Sequence, residues 1–317
     1  LGCNIARHLM MWGVNHITLV DRGMVSYSNP VRQTLFELSD CTAEGPDRIK
    51  SIAAARAIKR ILPTCNANGV ELTIRMPGHA VDKAAEADAV RDIESLDRLI
   101  QSHDVVFLLT DSRESRWLPT LICAAHDKPV INSALGFDTY LVMRHGLRSA
   151  PKESRVGCYF CNDVVAPMDS LTARTLDQQC TVTRPGVSAM ASALSVELLA
   201  ALCNHEKFFE CPAYVESEAA SDAATTVIGI VPHQVRGSVS DYSQMTLHGV
   251  AYDKCTACSD KVVELYQQRG AAFVIECLNN PKHVETITGL AAEREALAAK
   301  YADWDDDDFS SSADDDA

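Results

Sequence analysis

Apolar positions along the chain repeat with a period near 3.6 in some stretches and arrive as short unbroken runs in others, and the two patterns alternate. Residues 1–12 read as a helix closed by Gly13, and His16–Asp21 as a buried strand ending in an acid. Ile49–Leu62 has helical period, Val70–Arg75 reads as a strand, and Ala84–Ser102 as a helix. Asp104–Asp111 is a strongly apolar strand, again with an acid at its carboxyl end. Ser115–His126 is helical, followed by strands at Val130–Ala134 and Thr139–Arg144. Beyond Gly146 the alternation stops. A polar stretch leads to an Ala- and Leu-rich helix over Pro185–Cys203, then a loop over 205–224, strands at Val227–Val231 and Met245–Tyr252, and helices near 260–279 and 283–301.

Strands alternating with helices predict an α/β fold, doubly wound, with a mostly parallel sheet of the nucleotide-binding type and ligands at the carboxyl ends of its strands. Asp21 and Asp111 both fall at such ends. Asp21 follows Gly2 by about twenty residues, the interval at which this fold places a carboxylate on ribose hydroxyls. Beginning inside a helix without an initiating Met, the chain reads as a fragment whose upstream residues held a first strand and the early glycines of a Gly-x-Gly-x-x-Gly loop, Gly2 being the last. The expected division is an α/β domain over 1–280, with a loop at about 165–184, and a helical extension and acidic tail over 281–317.

Composition narrows the class. The 317 residues carry a formal charge of −14, but Asp303, Asp305–Asp308 and Asp314–Asp316 supply eight of those charges. The body is mildly acidic, which argues against nucleic acid or an anionic membrane as partner. No apolar run is expected to approach the roughly 20 residues of a membrane span. The tail reads as a solvated end, or as a strip in which Trp304 and Phe309 anchor Asp305–Asp308 to a basic protein. Twelve cysteines in a chain this long favour reduced thiols with a metal over a disulfide scaffold.

The cysteine spacing carries more. Cys158/Cys161 and Cys255/Cys258 form two Cys-x-x-Cys pairs, the natural ligand set for one tetrahedral structural zinc. One pair alone suits a redox motif; two favour the metal. Cys180 lies between the pairs, just before a helix that opens at Pro185 and beside Arg184, where a helix amino terminus and a cation lower a thiol pKa. The residues alone leave it open between a nucleophile and an inert buried thiol. Ser28-Asn29-Pro30-Val31-Arg32-Gln33 and Lys50 put amides and cations beside the Asp21 strand, a set that suits a polyphosphate. Asp111 is placed to hold Mg²⁺ or to cap the next helix.

Asp21, the Ser28–Gln33 run, Lys50 and Thr110-Asp111 followed by Arg116 resemble the adenylating domain of ubiquitin-like-modifier-activating enzymes. Longer runs, Ser26–Gln33, Arg113–Pro119, Ala134–Asp138, Cys158–Pro167 and Thr175–Cys180, resemble the autophagy branch of that family across essentially the whole chain. The resemblance implies ATP, Mg²⁺ and structural Zn²⁺. It implies Gly2, Asp21, Asn29, Arg32, Gln33, Lys50 and Asp111 as the nucleotide and magnesium residues, with Arg32 and Asp111 counted as catalytic, and Cys180 as the thioester nucleophile. Cys158, Cys161, Cys255 and Cys258 become the zinc ligands. Its implied partners are ubiquitin-like autophagy modifiers, their conjugating enzymes and a second copy of the chain, with first capture of the modifier by residues from about 281 onward. It implies a cytoplasmic location, with the pre-autophagosomal site as a candidate. The amino-terminal domain that recruits conjugating enzymes in this family is not in the sequence. The alternatives are a sulfur-carrier adenylyltransferase, a modifier-binding scaffold without turnover, and a dinucleotide oxidoreductase, which would leave Arg32, Lys50 and Asp111 without a role.

Overall fold

The computed structural model describes residues 1–162, 182–215 and 223–301, and most of the predicted helices within them bury an apolar face against a sheet or another helix. The first helix, α1 (Gly2–Met11), leads into β1 (His16–Val20). A short helix α2 (Leu38–Thr42), a 3₁₀ turn over Gly45–Arg48 and α3 (Lys50–Ile61) follow, then β2 (Asn66–Val70). Strand β2 runs parallel to β1 in a register from His16 opposite Asn66 to Val20 opposite Val70. The expected strand over Val70–Arg75 is therefore displaced upstream. Residues 71–76 join no ladder, although Leu72 and Ile74 pack in the core, so the apolar alternation there reported burial and not pairing.

The second half of the αβ alternation is α4 (Glu86–Gln101), β3 (Val106–Leu108), α5 (Arg113–Ala125), β4 (Val130–Leu135) and β5 (Thr139–Arg144). After α6 (Pro185–Cys203) comes a small hairpin of β6 (Thr225–Thr226) and β7 (Gly229–Ile230), where a single strand over Val227–Val231 was expected. Then follow β8 (Gln234–Ser238), absent from the predicted pattern, and β9 (Ser243–Leu247), which stops short of the predicted Tyr252. One five-stranded sheet has the order β3-β4-β5-β8-β9. Only its β3–β4 pairing is parallel; β4–β5, β5–β8 and β8–β9 are antiparallel. The expectation of a mostly parallel sheet is corrected to a mixed one. The reason is connection length: three residues join β4 to β5 and four join β8 to β9, whereas a parallel crossover needs a dozen or more.

Both faces of the sheet are covered, as a doubly wound fold requires. Ile131 packs with Ile5, Leu9, Ile58, Val187 and Leu202 under α1, α3 and α6. Its neighbour Val130 packs with Trp117, Leu121, Val262 and Phe273 under the helices of the other face. Adjacent residues of one strand thus serve opposite cores, the period-two rule at work. The β1–β2 pair forms no ladder with the larger sheet among the described residues; His103 ties β1 to the end of α4, its Nε2 2.8 Å from Thr18 Oγ1 and its Nδ1 2.7 Å from the Leu99 carbonyl.

Helix α6 corrects the expectation that no apolar run approaches a membrane span. It has 19 residues with a mean hydropathy of 1.7, long and apolar enough by composition to cross one. Here it lies in the core against α1, β4 and β5, and the hydroxyls of Ser195 and Ser133 meet at 2.6 Å between helix and sheet. The predicted carboxyl-terminal helices are each cut in two. Gly270 (φ 56°) separates α7 (Asp260–Arg269) from α8 (Ala271–Asn279), and Gly289 (φ 79°) separates α9 (Lys282–Thr288) from α10 (Leu290–Tyr301). Both glycines take positive φ, which a side chain resists and a helix cannot continue through.

Two outcomes follow for stability. A Cβ on Gly69 would stand 2.4 Å from the Ser51 carbonyl oxygen and 2.6 Å from the Ile52 backbone, so Gly69→Ala should destabilise by at least about 1–3 kcal/mol in urea melts. The Asp97 carboxylate accepts hydrogen bonds from Tyr266, His126 and Gln101, joining α4, α5 and α7. Burial alone would raise its pKa, but these hydrogen bonds outweigh it and hold the pKa below the usual value. Its contribution is then full above the unfolded-state pKa of about 3.9 and lost as pH falls through the lower folded value. Asp97→Asn should therefore be less stable than wild type at pH 7, with the gap closing toward pH 2 in denaturant melts.

Candidate functional site

The carboxyl end of β1 delivers Asp21, whose Oδ1 accepts the Gly23 N–H at 2.7 Å. The Lys50 N–H, at the start of α3, donates to the Gly23 carbonyl at 2.8 Å, and the Ser51 hydroxyl donates to the Asp21 carbonyl at 2.9 Å. A Cβ added to Gly23 would lie 3.1 Å from Asp21 Oδ1 and 3.6 Å from both Lys50 Cδ and Nζ. The carboxylate and the ammonium thus flank one glycine, with room between them that a side chain would fill. Gly23 was not singled out from sequence; its signal was a glycine two residues beyond an acid that closes a strand.

Asn29 is buried and organises the neighbouring turn. Its Oδ1 accepts the Ser26 N–H at 3.0 Å, and its carbonyl accepts the N–H groups of Arg32 and Gln33 at 3.0 and 2.9 Å. Arg32 is left exposed and Gln33 half-buried. Asn29 is therefore a scaffold for the turn as much as a contact. The first turn of α1 lies beside them and carries no acid, so the helix dipole favours an anion there. The Cys3 thiol on that turn is pushed up by burial, with the Leu35 backbone and the Lys50 charge opposing and the Asp21 charge adding, which places α1, Lys50 and Asp21 in one electrostatic neighbourhood.

Gly2 faces the other strand. A Cβ there would stand 3.9 Å from Leu109 Cδ1, ordinary contact, so the start of α1 lies against the residue two before Asp111. Asp111 itself is exposed at the carboxyl end of β3, where Ser112 Oγ caps α5 by accepting the Ser115 N–H at 3.3 Å. The capping role considered for Asp111 thus belongs to Ser112, and the carboxylate remains available for a cation.

Cys158, Cys161, Cys255 and Cys258 come together with all four sulfurs within 4.8 Å of one another. Sγ separations of 3.6 Å (Cys158–Cys255), 3.7 Å (Cys158–Cys161) and 3.4 Å (Cys161–Cys258) are far beyond the roughly 2.05 Å of a disulfide. They are close to the edge of about 3.8 Å expected for four thiolates each 2.3 Å from one ion. Backbone N–H groups of Ala257 and Cys258 point at Cys255 Sγ at 3.5 Å and that of Tyr252 at Cys161 Sγ at 3.4 Å, which favours thiolate charge. Burial pushes the Cys158 thiol far up, while hydrogen bonds from Cys158, Cys255 and Cys258 hold Cys161 far down. The donor set fits a metal ion. Gly157 is required beside it, since a Cβ would come 2.8 Å from Cys161 Cβ and 3.0 Å from the Val250 carbonyl. Trp117 Nε1 donates to the Thr256 carbonyl at 2.9 Å, fastening α5 to the second Cys loop.

Cys180 lies outside the described residues. The chain resumes at Val182 and is anchored at once: the Thr183 hydroxyl donates to the Gly136 carbonyl at 3.2 Å and the Arg184 N–H to the Phe137 carbonyl at 2.8 Å. Both contacts are on the β4–β5 hairpin.

Residues 1–241 match the ThiF family. The chain is 47% identical over 304 residues to the ubiquitin-like modifier-activating enzyme atg7 of Dictyostelium discoideum, covering 92% of this chain and 43% of that protein. It is 45% identical over 338 residues to ATG7 of Homo sapiens (97% and 48% covered), and 48% identical over 310 residues to ATG7 of Saccharomyces cerevisiae (97% and 46%). It spans a little under half the length of these relatives. Among solved structures it is similar to E. coli MccB with ATP (TM-score 0.51, 15% identity, 81% of this chain and 63% of that one) and to MccB with N-formylated MccA (TM-score 0.53, 17%, 81% and 64%). At such identities the likeness is one of fold. With the family matched from residue 1 to 241 of 317 and relatives 45–48% identical over nearly the whole chain, the chain belongs to the ThiF family.

Proposed function

We propose that this chain activates the carboxyl terminus of a ubiquitin-like autophagy modifier, first as an acyl-adenylate and then as a thioester on Cys180. The observation that carries this reading is the gathering of Asp21, Gly23 and Lys50 beside the first turn of α1, flanked by the Asn29–Gln33 turn. Anion-binding backbone, a cation and a carboxylate at one strand edge suit a nucleoside triphosphate. The likeness to ATG7 proteins over nearly the whole chain supports the modifier as acyl substrate.

In this reading Asp21 accepts hydrogen bonds from the ribose hydroxyls, and Gly2, Asn29, Arg32, Gln33 and Lys50 hold the phosphates. A carboxylate oxygen of the modifier's terminal glycine attacks the α-phosphorus; the bond to the bridging oxygen breaks and pyrophosphate leaves. Little proton transfer is needed, and Arg32 and Lys50 contribute by offsetting charge on the phosphates. Asp111 would hold Mg²⁺, which supplies further neutralisation when bound. The Cys180 thiolate then attacks the acyl carbon, AMP departs with the bonding pair, and the thioester passes to a conjugating enzyme's thiol. The four-cysteine cluster takes structural Zn²⁺ and joins the segments on either side of the Cys180 loop. A homodimer, and first capture of the modifier by residues from about 281 onward, belong to the same reading. Deleting 302–317 should then weaken modifier binding. A dinucleotide oxidoreductase is disfavoured because it leaves Arg32, Lys50 and Asp111 idle.

Modifier-dependent exchange of pyrophosphate into ATP should be present in wild type and fall about a hundredfold in Lys50→Ala. Cys180→Ser should keep the exchange and convert a thiol-sensitive adduct on non-reducing gels into a thiol-resistant one. Exchange supported by no modifier, with NAD bound in place of ATP, would end this reading. The metal has its own outcome: about one zinc per chain by elemental analysis, lost in Cys255→Ser together with a drop in thermal midpoint.

A further inference from the structure

Two arginines stand in the first turn of α5, where the helix dipole disfavours cations, and both face the first cysteine loop. Arg116 Cζ lies 4.9 Å from the centroid of the Tyr159 ring, and Arg113 Cζ lies 6.0 Å from that of Phe160. The two rings meet edge to face at 5.2 Å and 79°. These rings are the two residues between Cys158 and Cys161. Arg116 is only 4% exposed, and its Nε has no hydrogen-bond partner among the described residues. The nearby carboxylates whose charge it feels are Asp111 and Glu114, the latter buried too.

A buried guanidinium is a poor choice for stability alone, since an apolar side chain of similar volume generally serves as well or better. Its distinctive property is geometric. A cation attracted to a ring face fixes the ring, and a planar guanidinium stacks where an ammonium cannot. Tyr159 is held through its backbone as well, its N–H donating to His145 Nε2 at 3.3 Å. The loop so gripped leads directly into the segment that contains Cys180, and α5 starts two residues after Asp111.

We propose that Arg116, with Arg113 beside it, is a positioning residue: it clamps the Cys158–Cys161 loop to the Asp111 end of β3 and so sets the path from the adenylate to Cys180. The inference rests on the proposed function. It assigns Arg116 to the second half-reaction, the transfer from phosphate to sulfur, and not to nucleotide binding.

The test uses the complete protein carrying this sequence, metal-loaded, with Arg116→Met, Arg116→Lys, Tyr159→Phe, Tyr159→Leu and the double variant Arg116→Met/Tyr159→Leu. The first measurement is the rate of zinc release to a colorimetric chelator, which needs no catalysis. Arg116→Met and Tyr159→Leu should each speed release several-fold, and the double variant should release no faster than either, since both break the same contact. Multiplying effects would overturn the clamp. The second compares pyrophosphate exchange with single-turnover thioester formation. In Arg116→Met, exchange should stay within about twofold while thioester formation falls at least about tenfold, as a displaced nucleophile requires. Tyr159→Phe, which keeps the ring but loses the hydroxyl that hydrogen-bonds Arg116, should fall between wild type and Tyr159→Leu, and Arg116→Lys should recover part of the loss. Equal loss of both half-reactions, or loss of neither, would overturn the positioning role. A wild-type protein without exchange or thioester formation would overturn the proposed function and this role with it, while the release data would still decide the clamp.

Discussion

The approach of α3 onto the β1–β2 pair is backbone against backbone, and the nucleotide end of the molecule depends on it. Gly69 lets the Ser51 carbonyl and the Ile52 backbone come to where a Cβ would otherwise sit. At the other side of the same contact, the Ser51 hydroxyl and the Lys50 N–H reach the carbonyls of Asp21 and Gly23. The first turn of α3 is thereby stitched to the end of β1, and the Lys50 ammonium can only project over Gly23 toward Asp21. Neither charged group needs to pay for its own placement through a surface ion pair, which would be worth little. The helix axis does that work.

The opposite face uses a different device. Where the first core relies on small residues, Ala53, Ala54, Ala57 and Gly69, to bring helix and sheet together, the second relies on large ones fixed by polar attachments. Trp117 is fully buried yet donates to the Thr256 carbonyl, and Tyr266 is tied to Asp97. The cysteine cluster sits at the margin of this second core, so its geometry is transmitted to α5 through side chains and not through a shared backbone contact. The two ends of the candidate reaction therefore rest on unlike foundations, one close-packed and one cross-linked.

Much of this was legible along the chain because the determinants are local. A strand that ends in an acid, two Cys-x-x-Cys pairs and an apolar helix after a proline each announce themselves within a few residues. What escaped was set by partners distant in sequence. Strand β8, Gln-Val-Arg-Gly-Ser, carries no apolar run; its Gly237 is dictated by the Tyr140 ring, 2.2 Å from where a Cβ would lie. Residues 71–76 look like a strand but have no neighbour to pair with. The mixed sheet was readable from the short connections after Leu135 and Ser238 and was missed by weighing the alternation of elements over loop length. Gly23 was overlooked because its role is to leave space, and space has no sequence signature of its own. Cys180, the residue on which the proposed chemistry turns, lies outside the described residues, and its proposed role rests on the motif that precedes it.

Cys158 and Cys255 are 97 residues apart, and so are Cys161 and Cys258. Synthesis at about 5–20 residues per second then separates the emergence of the two halves by roughly 5–20 s. During that interval the β5 edge is also waiting, since its partner β8 is made only shortly before the second pair. The β5 edge and the cysteine cluster thus both wait for the same later stretch of chain, 234–258, before they can be completed. Until then the first thiol pair and an unpaired strand edge stand open, the kind of exposed edge that invites mispairing in a partly made chain.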